Sequence, residues 1–289
     1  MSGINTNRSN ISLPTEVSNE IIAKMQEGSA VMKLAEKITL PGRGLTIPVI
    51  TSDPEASWVG ETGKKSVSNP GLSTKVMRGY TLAVIVPFSN QFRRDNASLY
   101  NEIVNRIPKA LGAKIDYTVF HGTAPGSDFD TLASVTAQSL ASDVYQGLVS
   151  ADTDIALHGG VNNGFVFSAQ GKGILLGATD KNERPLFVNN VSEGAVPVVL
   201  GVKTELSKQA FKSGSPSVIG YAGDWTQAKY GIVEDIQISI SDQASLTIDN
   251  EQVNLWERNM FAVRAEIEFG FRADTSVFNA LTATGVPSI

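Results

Sequence analysis

A stripe of apolar residues at every fourth position predicts one long helix between residues 98 and 120. Its members are Leu99, Ile103, Ile107, Leu111, Ile115 and Val119. A spacing of four residues keeps side chains on one face of an α-helix, so the stripe predicts a helix that packs on the core along a narrow strip. We expect Ser98 to be the N-cap and Pro108 to kink the helix.

Apolar runs predict strands on both sides of this helix. They occur at 45–51, 78–88, 229–240 and 259–272. Pro48 and Pro87 place two of these strands at a sheet edge or a bulge, because proline has no N–H to donate to a ladder. The two late runs alternate apolar and polar residues, which is typical of long, half-buried strands.

Between these groups the pattern changes to short elements. A helix is expected at 140–149, and a short helix or turn at 273–281. Short apolar strands are expected at 164–169, 172–177, 184–188, 194–200 and 215–225. The early strands and the long helix must pack with the late strands, so the pattern predicts one subdomain interrupted by another.

The segment 52–77 is rich in glycine and proline and has few apolar residues to form a core of its own. An isolated two-stranded ribbon of this composition is marginal in water. Burying Trp58 would remove about 150–250 Å² from water, worth about 4–6 kcal/mol as an upper bound. We therefore expect this ribbon to need a neighbour against which Trp58 can pack.

Composition narrows the function classes. The 289 residues carry a formal net charge of −5, contain no cysteine and include two histidines. These features exclude a disulfide scaffold, a zinc–thiolate site and a cysteine nucleophile, and they argue against a general nucleic-acid binder. No apolar run approaches the length of a membrane-spanning helix, so we expect no membrane partner.

Candidate chemistry is sparse. Gly171-x-Gly173 lacks the third glycine of a dinucleotide-binding loop, and no phosphate-binding loop or serine elbow is present. We expect neither an enzyme nor a cofactor, and a small-molecule α/β enzyme is the alternative from a different class. The adjacent basic pairs Lys64–Lys65 and Arg93–Arg94 form either a solvated face or salt bridges between subunits.

Several segments, taken in order, resemble the major capsid proteins of tailed bacteriophages, which have the Hong Kong 97-like fold. They lie at 13–35, 46–62, 80–95, 98–122, 164–200, 220–241 and 259–271. Trp-Val-x-Glu at 58–61 and Gly-Asp-Trp at 223–225 are weak motifs alone. The order and spacing of the segments carry the resemblance.

The resemblance implies an α+β fold with an N-terminal arm, an extended ribbon called the E-loop, a long spine helix in a peripheral domain, and an inserted axial domain. The implied boundaries are 1–29 for the arm and first helix, 30–137 for the first peripheral part with the E-loop at 52–77 and the spine helix at 98–120, 138–225 for the axial domain, and 226–289 for the second peripheral part.

The resemblance also implies a function. Subunits would form pentamers and hexamers of an icosahedral shell that encloses double-stranded DNA without sequence-specific binding. The shell would assemble in the host cytoplasm and form the virion. Trp58 and Val59 would anchor the E-loop on a neighbour, with Lys64, Lys65, Arg93 and Arg94 as further inter-subunit contacts. Expected partners are a separate scaffolding protein, a portal protein and a decoration protein. The alternative is an encapsulin-type compartment, which encloses protein cargo.

One chemical feature of the family needs separate treatment. Some members form a Lys–Asn isopeptide bond between subunits, helped by a glutamate. Here Lys64 or Lys65 would supply the amine, and Asn250, seven residues before Glu257, resembles the asparagine of that mechanism. A desolvated glutamate would take the proton from lysine. The alternative is that the lysines form salt bridges across subunits and Asn250 is a turn residue.

Overall fold

The computed structural model describes residues 25–26, 28–52, 56–61, 63–65, 67–68, 71–180, 182–187, 198–248 and 250–286. Most of the expected N-terminal arm and first helix, 1–29, therefore lies outside the described residues. The expected strand at 184–188 and the first part of that at 194–200 extend beyond them too.

The strands and helices of these residues follow in chain order. The strands are β1 (Glu36–Thr39), β2 (Leu45–Ser52), β3 (Gly71–Met77), β4 (Tyr80–Ser89), β5 (Thr136–Ser139), β6 (Gly164–Phe167), β7 (Val198–Val199), β8 (Val202–Leu206), β9 (Ser217–Gly223), β10 (Ala228–Ser241), β11 (Ser245–Ile248), β12 (Glu251–Asn254), β13 (Met260–Ala273) and β14 (Phe278–Ala283). The α-helices are Ala30–Leu34, Asn90–Asp95, Ala97–His121, Val144–Leu157 and Ala169–Gly177, and the 3₁₀ turns are Lys208–Ala210, Trp225–Gln227 and Thr275–Val277.

Four strands form the first sheet, in the order β1-β10-β13-β4. β10 and β13 pair antiparallel along nearly their whole length, and β4 lies at the edge. Both late strands are confirmed, and Pro87 lies in the edge strand, as its missing N–H requires. Along β13, Val263, Ala265 and Ile267 are buried while Arg264 is exposed, so the predicted alternation is confirmed.

The helix expected over 98–120 is confirmed as Ala97–His121, here called the long helix. Its predicted stripe faces the core, with Ile107, Leu111, Ile115 and Val119 buried. Ser98 as N-cap is wrong. The N-cap is Asn96, whose backbone N–H still bonds to the preceding helix, so the junction between the two helices sets the start. Pro108 lies inside the helix and is buried.

Six strands form the second sheet, in the order β5-β14-β9-β6-β8-β7. The expected helix or turn over 273–281 is confirmed only at Thr275–Val277, a single 3₁₀ turn, and is wrong after it, where the chain enters β14 and pairs with β9 and β5. All six residues of β14 are buried. A strand covered on both faces has no polar alternation, so its periodicity cannot be recognised.

The second sheet joins distant parts of the chain. The segment expected as the second peripheral part, 226–289, contributes β14 to the sheet that otherwise comes from the middle of the chain. The strand β5 spans the expected boundary at 138. The expected domain boundaries stay a prediction.

Two short elements of the middle region also differ from expectation. The apolar run at 172–177 is helical, because Ser168 caps a helix by accepting a hydrogen bond from the Gly171 N–H at 3.1 Å. The helix expected at 140–149 begins later and runs from Val144 to Leu157, after Asp143 accepts from the Gln146 N–H. In both places the N-cap decides the start of the helix.

The carboxyl group of Asp116 joins three parts of the chain. It is fully buried on the long helix and accepts hydrogen bonds from Ser29 Oγ at 2.6 Å, from the N–H groups of Ala30 at 2.9 Å and Val31 at 3.2 Å, and from Ser207 Oγ at 2.7 Å. Burial raises the pKa of the Asp116 carboxyl, although these four hydrogen bonds act to lower it. The group therefore fixes the short helix Ala30–Leu34 and the end of β8 against the long helix.

A second buried carboxyl, that of Asp224, organises the chain after β9. It accepts from the Val161 N–H at 3.0 Å and from Asn163 Nδ2 at 2.8 Å, and it caps the following 3₁₀ turn through Thr226. Burial would raise the pKa of Asp224, but hydrogen bonds from Thr226, Val161 and Gln227 outweigh burial and lower that pKa below its ordinary value.

We expect Asp116→Ala to lower the free energy of unfolding of the isolated subunit by about 2–6 kcal/mol, because it strands two buried backbone N–H groups at about 1–3 kcal/mol each. Ser207→Ala is the matched control, since it removes one donor and leaves the carboxyl bound, at a cost of about 1 kcal/mol. Urea unfolding at one pH measures both. Equal losses for the two variants would contradict the central role of Asp116.

We expect the stability contributed by Asp224 to depend on pH. Its folded-state pKa lies below the unfolded value, so the contribution is present above that unfolded value, about 4, and is lost as pH falls through the folded-state pKa. The gap between the wild-type chain and Asp224→Asn, about 1–3 kcal/mol at pH 7, should narrow below about pH 4. Urea unfolding from pH 7 to pH 3 measures this gap. The exposed Asp152→Asn control should change stability by less than about 0.5 kcal/mol, and a gap for Asp224→Asn that widens at low pH would refute the sign.

Candidate inter-subunit contact surface

A two-stranded ribbon, β2 with β3, forms a sheet of its own. Its register runs from Leu45 opposite Met77 to Ser52 opposite Gly71. Beyond the paired part, the described residues of the tip, 56–61, 63–65 and 67–68, form no helix or strand. The ribbon predicted for 52–77 therefore has its paired strands at 45–52 and 71–77, and its tip between them.

The tip holds apolar side chains in solvent. Trp58 has a relative exposure of 105 %, as high as that of a side chain in an extended peptide, and Val59 and Val67 are exposed too. Large exposed apolar groups mark surfaces that bind a partner, and tryptophan is among the residues that most often dominate binding energy. The structure thus leaves Trp58 uncovered, as the composition of the segment predicts.

The base of the ribbon is fixed to its own subunit by an ion cluster. Arg272, near the end of β13, donates from Nη1 to Asp130 Oδ1 at 2.7 Å, from Nη2 to Asp128 Oδ1 at 3.1 Å, and from Nε to the Val76 carbonyl oxygen at 2.7 Å. Lys75 Nζ donates to the Ala273 carbonyl oxygen at 3.0 Å. The ribbon is therefore anchored at its root while its tip stays exposed.

Sequence reasoning missed this cluster. Its members are up to about two hundred residues apart along the chain, so no local spacing joins them. One signal was available: Asp128 and Asp130 flank Phe129, which is buried, so two carboxylates stand at alternate positions beside one apolar residue. That pattern indicates a segment that buries one side chain and presents two acids to a common partner.

The residues expected for an isopeptide bond are all exposed. Lys64 and Lys65 lie at the ribbon tip, and no described residue forms an ion pair with them. Asn250 occupies the turn between β11 and β12 with a φ of 67°, in the left-handed region that asparagine tolerates. Glu257 is exposed and its Oε1 accepts from Asn254 Nδ2 at 3.4 Å. The isolated subunit thus holds no desolvated glutamate at this position, and Asn250 fits the alternative of a turn residue.

The two arginines of the second basic pair have contacts within the subunit. The Arg93 guanidinium lies over the Phe261 ring, 4.7 Å from its centroid, and Arg94 Nε pairs with Asp95 Oδ1 at 2.8 Å. Both arginines remain exposed. Their expected role in bridging subunits stays a prediction.

A second exposed tryptophan follows the small hairpin of β11 and β12. The Trp256 side chain has a relative exposure of 72 %, and the backbone N–H of Trp256 donates to Asn254 Oδ1 at 3.1 Å within the turn. The hairpin packs through a small apolar cluster that includes Val253 and Leu255. Sequence reasoning did not select Trp256, although a tryptophan followed directly by Glu257 and Arg258 was a readable signal.

The described residues contain no group of three histidine, aspartate or glutamate side chains arranged to hold a metal ion. Among their helices, none combines the length and apolar character that crossing a membrane requires. Among the described residues, the ribbon tip and the hairpin each carry an exposed tryptophan, Trp58 and Trp256.

Comparison with known proteins yields relatives along nearly the whole chain. The chain is 29 % identical over 293 residues to the probable major capsid protein gp17 of Mycobacterium phage L5, with 93 % of this chain and 89 % of that protein covered. It is 27 % identical to the major capsid protein of Staphylococcus phage 80alpha, with 93 % of this chain and 84 % of that protein covered.

Solved structures agree at the level of the fold. A chain from Mycobacterium phage Adephagia matches with a TM-score of 0.75 at 21 % identity and covers 90 % of this chain and 92 % of its own length. A capsid chain of an empty GTA particle matches with a TM-score of 0.64 at 14 % identity, with 89 % and 90 % covered. The model of the phage capsid family matches residues 10–276. The chain therefore belongs to the phage capsid family.

Proposed function

We propose that this chain is a major capsid protein, a structural subunit that associates with copies of itself into the shell of a phage virion. The observation that carries the proposal is the fully exposed Trp58 on a ribbon anchored at its root, in a chain of the phage capsid family. Such a side chain is costly to leave in water and becomes favourable when a neighbouring subunit covers it.

The energetics of a shell suit contacts of this size. Covering Trp58 is worth up to about 4–6 kcal/mol as an upper bound. One such contact does not hold a pair of subunits firmly, because association itself costs at least about 4 kcal/mol. Each subunit of a closed shell has several neighbours, so modest contacts reinforce one another.

Within this proposal, each part of the fold has the role of the corresponding part in the phage capsid family. The ribbon of β2 and β3 serves as the E-loop, and the long helix serves as the spine helix of a peripheral domain built on the first sheet. The second sheet, which includes β14, forms the axial domain around which pentamers and hexamers assemble. Trp58 and Val59 anchor the E-loop on the neighbour, and Lys64, Lys65, Arg93 and Arg94 contribute ion pairs between subunits.

The contents and partners of the shell follow from the same proposal. The shell assembles in the host cytoplasm and encloses double-stranded DNA, with a scaffolding protein, a portal protein and a decoration protein as further partners. A net charge of −5 suits a wall that does not grip packaged DNA, because such binding grows with the number of neutralised phosphates. The encapsulin alternative is not favoured, since the curated relatives are phage major capsid proteins, and these are structural proteins rather than enzymes.

We expect Trp58→Ala to weaken assembly and to leave the isolated subunit stable. The side chain contacts solvent, so the free energy of unfolding should change by less than about 0.5 kcal/mol. Trp225→Ala is the matched control: Trp225 is buried and donates from Nε1 to the Gly164 carbonyl oxygen at 3.0 Å, so its loss should cost about 3–5 kcal/mol of stability. Electron microscopy counts shells and urea unfolding measures stability. Unimpaired assembly of Trp58→Ala would contradict the anchoring role.

We further propose that the shell is held without covalent bonds and that Lys64 and Lys65 act as charges. An isopeptide bond needs a glutamate placed to take the lysine proton, and Glu257 is exposed and bound to Asn254. On a denaturing gel, boiled shells should therefore give a single band near the monomer mass of 30.8 kDa. A ladder of heavier bands that disappears in the Lys64→Arg and Lys65→Arg double variant would establish the covalent alternative, because arginine keeps the charge and cannot form that bond.

A further inference from the structure

An aromatic cleft beside the long helix is large enough, and apolar enough, to hold one side chain of a partner. It has a volume of about 370 Å³ and lies between the end of the long helix, the start of β4 and the loop that follows the helix. Rings of Tyr80, Tyr117, Phe129 and Phe269 line it. Pockets that hold organic groups have volumes of about 300–1,000 Å³, so one aromatic side chain fits.

Among the described residues that line the cleft, Lys114 is the one lysine or arginine. Lys114 is exposed, its Nζ lies 4.9 Å from the centroid of the Tyr117 ring, and no described residue forms an ion pair with it. Burial, with a smaller contribution from the charge of Lys212, lowers the pKa of His121. The imidazole is therefore neutral at pH 7 and adds an aromatic surface instead of a second cation.

The ribbon tip has the complementary arrangement. Trp58 is exposed, and Glu61 follows three residues later in the same exposed stretch, with no ion-pair partner among the described residues. The tip also carries Lys64 and Lys65, so the match to the cleft is local: the indole suits the aromatic walls, and the Glu61 carboxylate suits the ammonium group at the rim. Trp256 is a poorer match, because the carboxylate beside it, Glu257, already accepts a hydrogen bond from Asn254.

We propose that this cleft receives the Trp58 side chain of a second copy of the chain, with Glu61 of that copy paired to Lys114. The inference rests on the proposed function and deepens it by naming the surface on which the ribbon tip docks. Trp58 does not fill the cleft of its own subunit, since its side chain is fully exposed. The contact is therefore between different patches of two copies, an arrangement that closes into rings when the rotation between copies permits.

Thiol crosslinking tests the contact, because the chain contains no cysteine of its own. Shells are assembled from a mixture of Glu61→Cys chains and Lys114→Cys chains and are then treated with a short bismaleimide, because the long side chains of a Glu–Lys ion pair hold the two Cα atoms farther apart than the roughly 4.4–6.8 Å that a disulfide spans. We expect a crosslinked dimer in the mixed shells and none in shells of either variant alone.

An alternative docking position for the ribbon tip lies on the other face of the first sheet, away from the cleft. Gln237 pairs in register with Glu266, whose side chain points away from the buried neighbour Ile267. Shells that mix Glu61→Cys with Gln237→Cys report a ribbon that lies over that face. Crosslinking to Gln237→Cys, or no crosslinking in shells that form, would overturn the inference while the proposed function stands. Failure of the unsubstituted chain to form shells with its co-expressed phage proteins would contradict both the inference and the proposed function.

Charge reversal gives a second measurement if the cysteine chains fail to assemble. Glu61→Lys and Lys114→Glu should each lower the yield of shells, and the double variant should restore much of it, because the pair is re-formed with opposite sign. Lys109→Glu, on an exposed part of the same helix outside the cleft, is the matched control and should not rescue Glu61→Lys. Single losses without rescue by the double variant would refute the pairing.

Discussion

The buried carboxyl group of Asp116 is the constraint on which the arrangement of the subunit depends. Four donors from two distant segments converge on its two oxygens, at distances of 2.6–3.2 Å. A buried carboxyl that lost these donors would be strongly destabilising, so the short helix before β1 and the turn after β8 cannot move independently of the long helix. Because β1 belongs to the first sheet and β8 to the second, one polar group couples the long helix to segments beside both sheets.

The ribbon differs from the rest of the subunit, because only its root is held by contacts within the chain. Its root is held by the guanidinium of Arg272, which binds two carboxylates and a backbone carbonyl oxygen, whereas its tip holds Trp58 in water. Ion pairs at the root are partly buried and resist screening by salt, while the apolar tip gains energy only through a partner. The body of the subunit thus covers its own core, whereas the ribbon tip leaves Trp58 uncovered.

The sequence reveals those features whose cause is local. The long helix and the strands β10 and β13 follow from periodicity, and the exposure of Trp58 follows from a segment with nothing of its own to pack against that ring. Features with distant causes were missed: β14 is buried on both faces and shows no alternation, and the partners of Arg272 lie about 140 residues away along the chain. The apolar run at 172–177 is helical because Ser168 caps the helix. Its hydroxyl oxygen accepts a hydrogen bond from a backbone N–H of the first turn.

In the proposed shell, anchoring at the root and exposure at the tip together determine how a neighbour is held. If the ribbon were free at both ends, covering Trp58 would require its whole length to be ordered, at a cost of about 1–2 kcal/mol per residue. The contacts of Arg272 and Lys75 fix the root within the free subunit, so part of that ordering is complete before assembly begins. The favourable energy of burying one indole is then larger relative to the remaining cost. The same side chains join the root of the ribbon to the end of β13. A neighbour that covers Trp58 is therefore connected, through the ribbon, to the first sheet of the subunit that extends it.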